Sequence, residues 1–538
     1  MNRQHFSEFF RRHGLTVLGL LLVLAFNFAV RWHLREMPLE RDEGEYAYAG
    51  QLLLQGVPPY QLAYNMKFPG VYFAYAALMK CFGESPTGIH LGILLVTSVS
   101  TVLVFLLGLE LLNAGGGLMA AAMFTGLSAL PGATGLAGHA THFVTLFVCA
   151  GTLALLQAEK KPSRYWPLIS GLAFGLAVLM KQHAVFFLPF AAGWLAWQWF
   201  RKKQSIRGIG IFFAGVAMPL ALTAAMLART GVWDRFYFWA IQYARQYVAI
   251  SPLPVALRQF VMGFNPVLNS GVWVWVFGVT GLGLVFLRTE FRRATVIGAG
   301  LFLAGLAAAC PGFYFRDHYF LMLMPGLALL NAVLILAVAD KLKPFPQARL
   351  LKFLPPVLFC IVTGDLIVRN AGMWFSLPSN EVSRDLYGSN PFSESAQIAS
   401  YLAAHTSPDE TIAVLGSEPQ LFFLARRHSA SGYIYLYPLT EPQPLAARMQ
   451  KEFIGEVEAA APRYVVYVNV ASSWLSAIYP GQHPEQPIND WWSGYSQNYK
   501  PAGAVDIFDD KPSEFFWDGQ LANRTNSSLP TISIYRRK

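Results

Sequence analysis

The stretch RDEGEYAYAGQLLLQGVPPYQLAYNMKFPG, from Arg41 to Gly70, decides how the rest of the chain is interpreted. It follows a mostly apolar run at residues 15–34 that is long enough to cross a membrane. It begins with the neighbouring acids Asp42 and Glu43 and ends with Lys67 in a Lys-Phe-Pro-Gly turn. Acids, aromatic rings and a cation therefore come directly after a first span, either as plain loop residues or as part of a site at the membrane boundary.

The composition indicates that most of the chain lies in lipid. Of the 538 residues, 54% are hydrophobic and only 13% are charged, whereas about 25% is usual for a soluble domain. The net charge of +10 does not favour nucleic-acid binding, because the basic residues form small clusters between apolar runs rather than one patch. The four cysteines have no metal-ligand spacing, which favours a role as small apolar fillers.

Apolar runs recur as far as residue 370 and predict eleven membrane spans. We interpret the first as a retained span rather than a secretory signal, because no small-residue cleavage site follows it. The predicted spans are 15–34, 88–110, 116–132, 140–158, 166–181, 184–200, 209–228, 266–287, 294–311, 319–339 and 353–370.

The basic residues predict which side of the membrane each loop faces. With a cytoplasmic N-terminus, every cluster of three or more Lys or Arg between spans falls on the cytoplasmic side, as the positive-inside rule requires. The exterior side then holds the opening stretch, residues 135–142, 181–183, 229–264 and 316–318, and the tail after residue 370. The cytoplasmic clusters are Lys160, Lys161 and Arg164; Arg201, Lys202, Lys203 and Arg207; Arg288, Arg292 and Arg293; and Lys341, Lys343, Arg349 and Lys352.

The tail changes composition and predicts a small α/β domain. Helical apolar spacing occurs in ESAQIASYLAAHT, EPQLFFLARR and PLAARMQKEFIGEVEAAAP, and strands are predicted in PDETIAVLG, YIYLYP and RYVVYVNV. We therefore divide the chain into a transmembrane core at residues 1–375, which includes the exterior loop 35–85, and an extracytoplasmic domain at residues 380–538.

The two acids of the opening stretch are the first candidates for chemistry. A single acid beside a span is more often a loop residue that faces water. Here, however, EYAYAGQLLLQG predicts an amphipathic helix on the membrane surface that ends at Gly56. This helix would hold Asp42 and Glu43 at its N-terminus, where anionic groups are favoured.

Three cations are predicted at the same face. Lys67 is either a lysine that snorkels to the interface or an anion ligand. Lys181 interrupts an apolar hairpin at its exterior turn, and Arg316 does the same in PGFYFRDHYFLMLMPG, where an ion pair with Asp317 is the alternative role. Cations can hold a phosphate and stabilise it as it leaves, and a carboxylate can accept a proton from an attacking hydroxyl. The combination suits a reaction on a lipid-linked anionic substrate.

The order of these motifs resembles the GT-C superfamily of integral-membrane glycosyltransferases. It is most similar to the bacterial family 39 branch, which is related to protein O-mannosyltransferases and to the lipid A aminoarabinose transferase. In that family an acidic pair after the first span precedes a Gly-x-x-Pro-Tyr turn, a Lys-Pro-Pro-Gly-like turn, a lysine in a Gly-rich hairpin and a late Arg…Tyr…Pro span. The tail stretch SPDETIAVLGSEPQLFFLARRHSASGYIY resembles the exterior domain of such proteins. The matching residues are Asp42 with Glu43, Gly56 to Tyr60, Lys67 to Gly70 with Phe68 in place of one proline, Lys181, and Arg316 with Tyr319 and Pro325.

The resemblance implies an α-helical polytopic membrane protein, with a GT-C core of about eleven spans and a C-terminal extracytoplasmic α/β domain, in the inner (plasma) membrane of a bacterium. It implies a hexosyl- or pentosyltransferase that moves a sugar, with inversion, from a polyprenyl-phosphate-linked donor to a lipid, glycan or protein acceptor at the extracytoplasmic face. Asp42 and Glu43 are then the catalytic candidates, with Asp42 as the base or the acid that orients the acceptor. The candidate substrate-binding residues are Tyr60, Lys67, Lys181, Gln182, Arg316, His318 and Tyr319.

One motif departs from the family pattern. Many relatives carry a Thr-Asp pair at the start of the fourth span, where this chain has GHATHFVTLF. His139 and His142 are either polar residues at a helix end or replacements for the second acid, as a metal ligand or a proton carrier. A divalent metal is thus compatible with the sequence but is not required by it.

Two functions of other classes remain as alternatives. A multi-pass transporter or lipid flippase would place ionisable residues near the middle of the bilayer and often shows inverted repeats, whereas the charges here gather near one face. A non-catalytic scaffold that only retains the fold is the other alternative, because a fold does not determine an activity.

Overall fold

The computed structural model describes residues 3–160, 163–203, 205–287, 290–344, 349–475, 483–508 and 511–538. Lys161 and Arg288, which contribute to the predicted cytoplasmic clusters, lie outside the described residues. The α-helices of the described part are α1 (Arg3–His33), α2 (Arg41–Leu54), α3 (Gly70–Phe82), α4 (Pro86–Leu111), α5 (Ala114–Ser128), α6 (Ala140–Lys160), α7 (Tyr165–Met180), α8 (Phe187–Phe200), α9 (Ile206–Arg229), α10 (Trp233–Tyr237), α11 (Ala244–Ala249), α12 (Leu253–Asn269), α13 (Val272–Leu287), α14 (Arg292–Ala309), α15 (Met324–Leu342), α16 (Leu354–Ala371), α17 (Ser379–Tyr387), α18 (Ser395–Ala404), α19 (Gln420–Ala425), α20 (Tyr437–Thr440), α21 (Ala446–Ala460) and α22 (Gln486–Tyr495).

The chain divides into two compact units, and each unit is built from three separate segments. The first unit contains Met1–Arg35, His90–Thr223 and Ser251–Leu377. The second unit contains Glu36–Ile89, Ala224–Ile250 and Pro378–Lys538. The stretch that follows the first span therefore belongs to the same unit as the tail.

Helices occur at all eleven predicted spans. In the described part of the chain, seven single helical segments are long and apolar enough to cross a membrane. The structure differs most from the predicted spans at 266–287, where one continuous helix was expected. Instead, α12 continues to Asn269 and α13 begins at Val272, so Ser270 and Gly271 separate two helices. The four predicted spans that coincide with shorter helices are 116–132, 166–181, 184–200 and 266–287, at α5, α7, α8 and α13.

A buried arginine anchors α1 within the first unit. Arg31 is 4% exposed, and its Nη2 atom donates to the carbonyl oxygens of Ser128 (2.9 Å) and Gly135 (3.1 Å). Because a buried charge is costly without partners, these two carbonyl groups hold α1 against the end of α5 and the turn that follows it.

Charged residues at four helix ends form one ion network in the first unit. Glu110 pairs with Lys160 (2.7 Å) and Arg293 (3.5 Å). Glu159 pairs with Lys203 (2.8 Å) and Arg293 (3.1 Å). All five residues lie in loops or helix ends that the sequence analysis assigns to the cytoplasmic side, and their contacts bring these ends of α4, α6, α8 and α14 together.

The tail contains a mixed β-sheet whose described strands follow the order β1-β2-β5-β3-β4. β1 and β2 are parallel, and the other neighbours are antiparallel. A parallel pair needs a crossover connection, and α19, α20 and α21 lie in it. The carboxyl ends of β1 and β2 therefore lie at the same edge of the sheet. The strands are β1 (Ile412–Leu415), β2 (Tyr464–Val468), β3 (Tyr499–Asp506), β4 (Glu514–Trp517) and β5 (Ile532–Arg537).

The tail predictions are confirmed at β1, β2, α18, α19 and α21, and one is wrong. The YIYLYP segment forms no strand, and the short helix α20 begins at Tyr437. Tyr433 and Leu436 are instead buried in a core of aromatic and aliphatic side chains, together with Tyr64 and Trp239 of the same unit. Aromatic residues fit buried surfaces in general, so this run reflects burial rather than strand pairing.

Helix α2 confirms the helix predicted after the first span, and Gly56 follows it with a φ of +85°. The amphipathic pattern predicted for this helix, which requires one exposed polar face, is wrong. Of its 14 residues, 11 are buried, because α2 packs against α3 and against α19 of the tail.

Candidate active site

The acids of the opening stretch lie at the start of α2. The Oε1 atom of Glu40 accepts a hydrogen bond from the N–H of Glu43 (2.8 Å), and the Oε2 atom of Glu43 accepts one from the N–H of Glu40 (3.3 Å). This capping box satisfies backbone donors that a helix N-terminus leaves without partners. Glu43 is fully buried, so its carboxylate supports the helix start, whereas the Asp42 side chain keeps 18% exposure.

Lys67 lies between two carboxylates of α2. Its Nζ atom donates to Oδ1 of Asp42 (2.8 Å) and to Oε2 of Glu45 (2.6 Å). The two acids are three residues apart and therefore project from the same face of the helix. Nζ also lies 4.6 Å from the ring centroid of Tyr46 and 5.8 Å from that of Tyr435. We call Asp42, Glu45 and Lys67 the acid cluster.

Burial and charge act in opposite directions on the groups of the acid cluster. Burial disfavours the charged form of Lys67, but the carboxylates of Asp42 and Glu45 outweigh it and hold the pKa of Lys67 well above its ordinary value. Burial raises the pKa of Glu45, and the charge of Lys67 opposes the rise. Lys67 therefore stays cationic at neutral pH, as a ligand for an anion must.

Two tyrosines support the acid cluster from inside the unit. The hydroxyl group of Tyr60 donates to the carbonyl oxygen of Lys67 (2.7 Å), and that of Tyr72 donates to Oε1 of Glu45 (2.7 Å). Tyr60 has a left-handed φ of +65° and is 1% exposed. Although the sequence analysis places Tyr60 among the substrate-binding candidates, the structure shows it beneath the turn that carries Lys67.

Other predicted site residues come together in the first unit. The rings of His139 and His318 are stacked, with centroids 4.1 Å apart. The Nζ atom of Lys181 lies 4.3 Å from the ring centroid of Tyr319, and this ring also contacts His318 at 4.8 Å. His139, Lys181, His318 and Tyr319 therefore form one continuous group.

Short 3₁₀ segments position this group. His318 and Tyr319 lie in a 3₁₀ helix at Asp317–Leu323, before α15. Lys181 is the C-cap residue that follows α7, and Gln182 begins a 3₁₀ helix that extends to Phe186. The guanidinium of Arg316 lies 5.6 Å from the ring centroid of Tyr314.

The histidines of GHATH have different surroundings. His139 stacks on His318, and its Nε2 atom lies 3.0 Å from Oγ1 of Thr134. His142 lies 3.1 Å through Nε2 from the carbonyl oxygen of Ala137 and lines a cavity of about 10 Å³ with hydroxyl side chains of α4 and α6. A polar cavity of this size suits one water molecule. One ring nitrogen of His139 and one of His318 lie within 4.8 Å of each other, so these two imidazole groups could hold a cation together.

Glu45, Tyr46 and Tyr435 are not among the site residues predicted from the sequence. A signal exists for the first two, because they follow Asp42 by three and four residues and must share its helix face. Tyr435 comes from the tail, and no local pattern connects it with Lys67.

Part of the chain matches a known family of membrane enzymes. Residues 66–228 match the family model of the dolichyl-phosphate-mannose-protein mannosyltransferases. No curated protein sequence matches the chain.

Three solved structures share the overall fold. The Archaeoglobus fulgidus oligosaccharyltransferase tethered with an acceptor peptide superposes with a TM-score of 0.56 at 11% identity, over 95% of this chain and 74% of that chain. ArnT from Cupriavidus metallidurans, bound to undecaprenyl phosphate, superposes with a TM-score of 0.55 at 16% identity, over 87% and 95%. AglB from Archaeoglobus fulgidus, in complex with an inhibitory peptide and a dolichol-phosphate, gives 0.53 at 11% identity, over 95% and 75%. These proteins are GT-C glycosyltransferases. The chain has the GT-C fold.

The GT-C fold confirms the class that the motifs imply, a polytopic helical membrane protein with a small C-terminal sheet domain. At these sequence identities the likeness establishes the fold and leaves the reaction open. Together with the matched segment at residues 66–228, the GT-C fold supports a membrane glycosyltransferase in the broad sense.

Proposed function

We propose that this chain is a membrane glycosyltransferase that takes a sugar from a polyprenyl-phosphate-linked donor and transfers it to a lipid, glycan or protein acceptor at the extracytoplasmic face. The observation that carries the proposal is the acid cluster at the start of α2, in a chain with the GT-C fold. The donor class is supported by ArnT, which was solved with undecaprenyl phosphate, and by AglB, which was solved with a dolichol-phosphate.

In the proposed reaction, Asp42 accepts the proton of the acceptor hydroxyl. The hydroxyl oxygen forms a bond to the anomeric carbon of the sugar while the bond from that carbon to the phosphate oxygen breaks. Polyprenyl phosphate leaves with the electron pair of the broken bond, and Lys67 stabilises its charge. This single displacement inverts the anomeric centre.

Lys67 connects the acid to the donor. An ammonium group has three N–H donors, and two of them serve Asp42 and Glu45. We assign the third to a phosphate oxygen of the donor. The negative charge of the phosphate then disfavours the charged form of the Asp42 carboxylate, so donor binding increases the basicity of Asp42 at the moment at which a base is needed.

Further residues are proposed as donor ligands on the basis of the resemblance and of their chemistry. Lys181 and Arg316 are proposed as further cations for the donor, because a cation can hold a phosphate and stabilise it as it leaves. Glu43 and Tyr60 are proposed to shape the site from inside, given their burial. The remaining proposed donor ligands are Gln182, His318 and Tyr319.

Replacement of Asp42 by asparagine tests the proposal. Lipid-linked sugars and surface glycans are compared in cells that lack the protein and in cells that carry the wild type, Asp42→Asn or Asp490→Asn. Asp490→Asn is the control, because it changes an exposed acid of α22. We expect the donor to accumulate without the protein and with Asp42→Asn, because loss of a general base lowers the rate about 10²–10⁴-fold. Normal glycans with an inserted Asp42→Asn protein would refute the assignment.

A further inference from the structure

Arg41, the first residue of α2, is bound by the tail of the second unit. Its Nη2 atom lies 2.5 Å from Oε1 of Glu418 and donates to Oδ1 of Asn390 (2.7 Å). Its Nε atom donates to the carbonyl oxygen of Ser417 (2.6 Å), and its Nη1 atom donates to the hydroxyl group of Tyr437 (3.1 Å). Each nitrogen of the guanidinium therefore has a partner in the tail.

This ion pair is buried. Arg41 is 7% exposed, and Glu418 is inaccessible to solvent. Burial opposes the charge of Arg41, but Glu418 outweighs it and keeps the pKa of Arg41 above its ordinary value. A buried ion pair contributes little net stability, and fixing the register of neighbouring elements is its best-supported role.

Two partners of Arg41 lie at one particular edge of the sheet. Ser417 and Glu418 follow β1, and Ser472 and Ser473 follow β2, so all four lie at the carboxyl ends of the parallel strands. Side chains of the edge hold one another: Ser473 accepts a hydrogen bond from the N–H of Ser417 (2.7 Å), and Ser472 donates to Asn390 (2.6 Å). In this chain the edge holds an arginine of the same chain.

Other contacts hold α2 close to the tail. A Cβ atom at Gly44 would lie 2.6 Å from the backbone nitrogen of Gln420, so only glycine allows this approach. The hydroxyl group of Tyr48 accepts a hydrogen bond from the N–H of Ser429 (2.9 Å). Arg41 and Asp42 are adjacent and so lie about 100° apart around the helix axis. The direction in which Arg41 is held therefore determines the direction of Asp42.

We propose that Arg41 is a positioning residue: by binding the residues that follow β1 in the tail sheet, it fixes the rotation of α2 that places Asp42 and Glu45 on Lys67. The role of Arg41 in catalysis rests on the proposed function. The assembly of the acid cluster by the tail can be tested without any sugar substrate.

The reactivity of Lys67 reports on the acid cluster. Only the neutral amine is acylated, so a loosened pairing with Asp42 lowers the pKa of Lys67 and speeds its reaction with N-hydroxysuccinimide acetate. In the full chain in nanodiscs, we expect Asp42→Asn to raise the acylation rate about tenfold, which corresponds to one pKa unit. Arg41→Gln should raise it by a similar factor, and Arg41→Lys, which retains the charge without the planar fork, should give an intermediate value.

Arg524→Gln is the matched control. It breaks another ion pair of the tail, in which Nε of Arg524 lies 2.8 Å from Oδ2 of the buried Asp506, and it should leave the acylation of Lys67 unchanged. Unchanged acylation in an inserted Arg41→Gln protein would overturn the inference, and so would an equal rise with Arg524→Gln. If Arg41→Gln fails to insert, Glu418→Gln takes its place and is judged by the same two outcomes.

Turnover separates this inference from the proposed function. We expect Arg41→Gln to lower kcat about tenfold and to leave the affinity for undecaprenyl phosphate unchanged, because Lys67 is still present. Asp42→Asn that acylates faster but transfers sugar normally would refute the proposed function and leave the positioning role of Arg41 intact.

Discussion

Replacement of Gly44 by alanine tests how closely α2 must approach the tail. In an exposed helix interior, Gly→Ala stabilises by about 1 kcal/mol through helix propensity. At Gly44 the new methyl group would lie 2.6, 2.7 and 2.8 Å from the N, Cβ and Cα atoms of Gln420. Overpacking costs about 1–3 kcal/mol, and contacts with backbone atoms fall at the upper end because α19 must move. A net loss of about 2 kcal/mol therefore remains.

Gly455 supplies the control for this prediction. It lies in α21, and nothing lies within 4 Å of an added Cβ atom, so Gly455→Ala should retain its gain of about 1 kcal/mol. For a unit of this size, 1 kcal/mol corresponds to about 2–4 °C in melting temperature. Thermal unfolding of the full chain in detergent should therefore show a midpoint about 4–8 °C lower for Gly44→Ala and about 2–4 °C higher for Gly455→Ala. A Gly44→Ala protein that melts at or above the wild type would refute the close packing of α2 on α19.

Three further predictions address charge, donor binding and loop anchoring. Lys67→Gln removes a cation whose pKa is raised by folding, so the wild type should be more stable than the variant at every pH below the unfolded pKa of about 10.4, and this advantage is lost as the pH rises through the folded pKa. Melting midpoints of both proteins from pH 7 to pH 11 measure the difference in stability. A difference between the two midpoints that disappears by pH 9 contradicts the prediction. Tyr319→Leu removes the aromatic ring that contacts the ammonium group of Lys181, a contact worth about 1 kcal/mol. Because this ring holds Lys181 in place, undecaprenyl phosphate should bind about fivefold more weakly to the variant. Unchanged binding would show that Lys181 is not a donor ligand. Glu456→Ala removes the carboxylate that accepts hydrogen bonds from the hydroxyl group of Tyr64 (3.0 Å) and from two donors at residues 431–432. The loss should lower the stability by about 1–3 kcal/mol and speed proteinase K cleavage within residues 56–66. Equal cleavage rates in the variant and the wild type would contradict a role of Glu456 in anchoring this loop.

The membrane helices were predictable because each one leaves a continuous apolar run in the sequence. The limit of this rule is visible at residues 266–287, where apolar residues continue across the break at Ser270 and Gly271. Strand β3 was not predicted from the sequence for another reason. β3 contains Pro501 and Gly503 and shifts its register between them, and sequence rules interpret both residues as strand breakers.

The candidate site divides in the same way into local and distant parts. Helix periodicity places Asp42 and Glu45 on one face, and Lys67 follows within the same stretch. By contrast, Arg41 and Glu418 are 377 residues apart, and the stacked pair His139 and His318 is 179 residues apart. Periodicity and motifs describe only neighbouring residues, so these pairings required the tertiary structure.

The origin of the second unit from three segments has a consequence for biosynthesis. Glu418 follows Arg41 by 377 residues, and a ribosome adds about 5–20 residues per second, so about 20–75 s pass between the synthesis of the two residues. During this interval α2 exists without the side chain that binds its first residue. A chain that terminates after its last membrane helix would therefore be inserted with Asp42 and Lys67 present, yet without the tail that fixes them. The partners that fix Arg41 are thus present only once translation has passed Glu418.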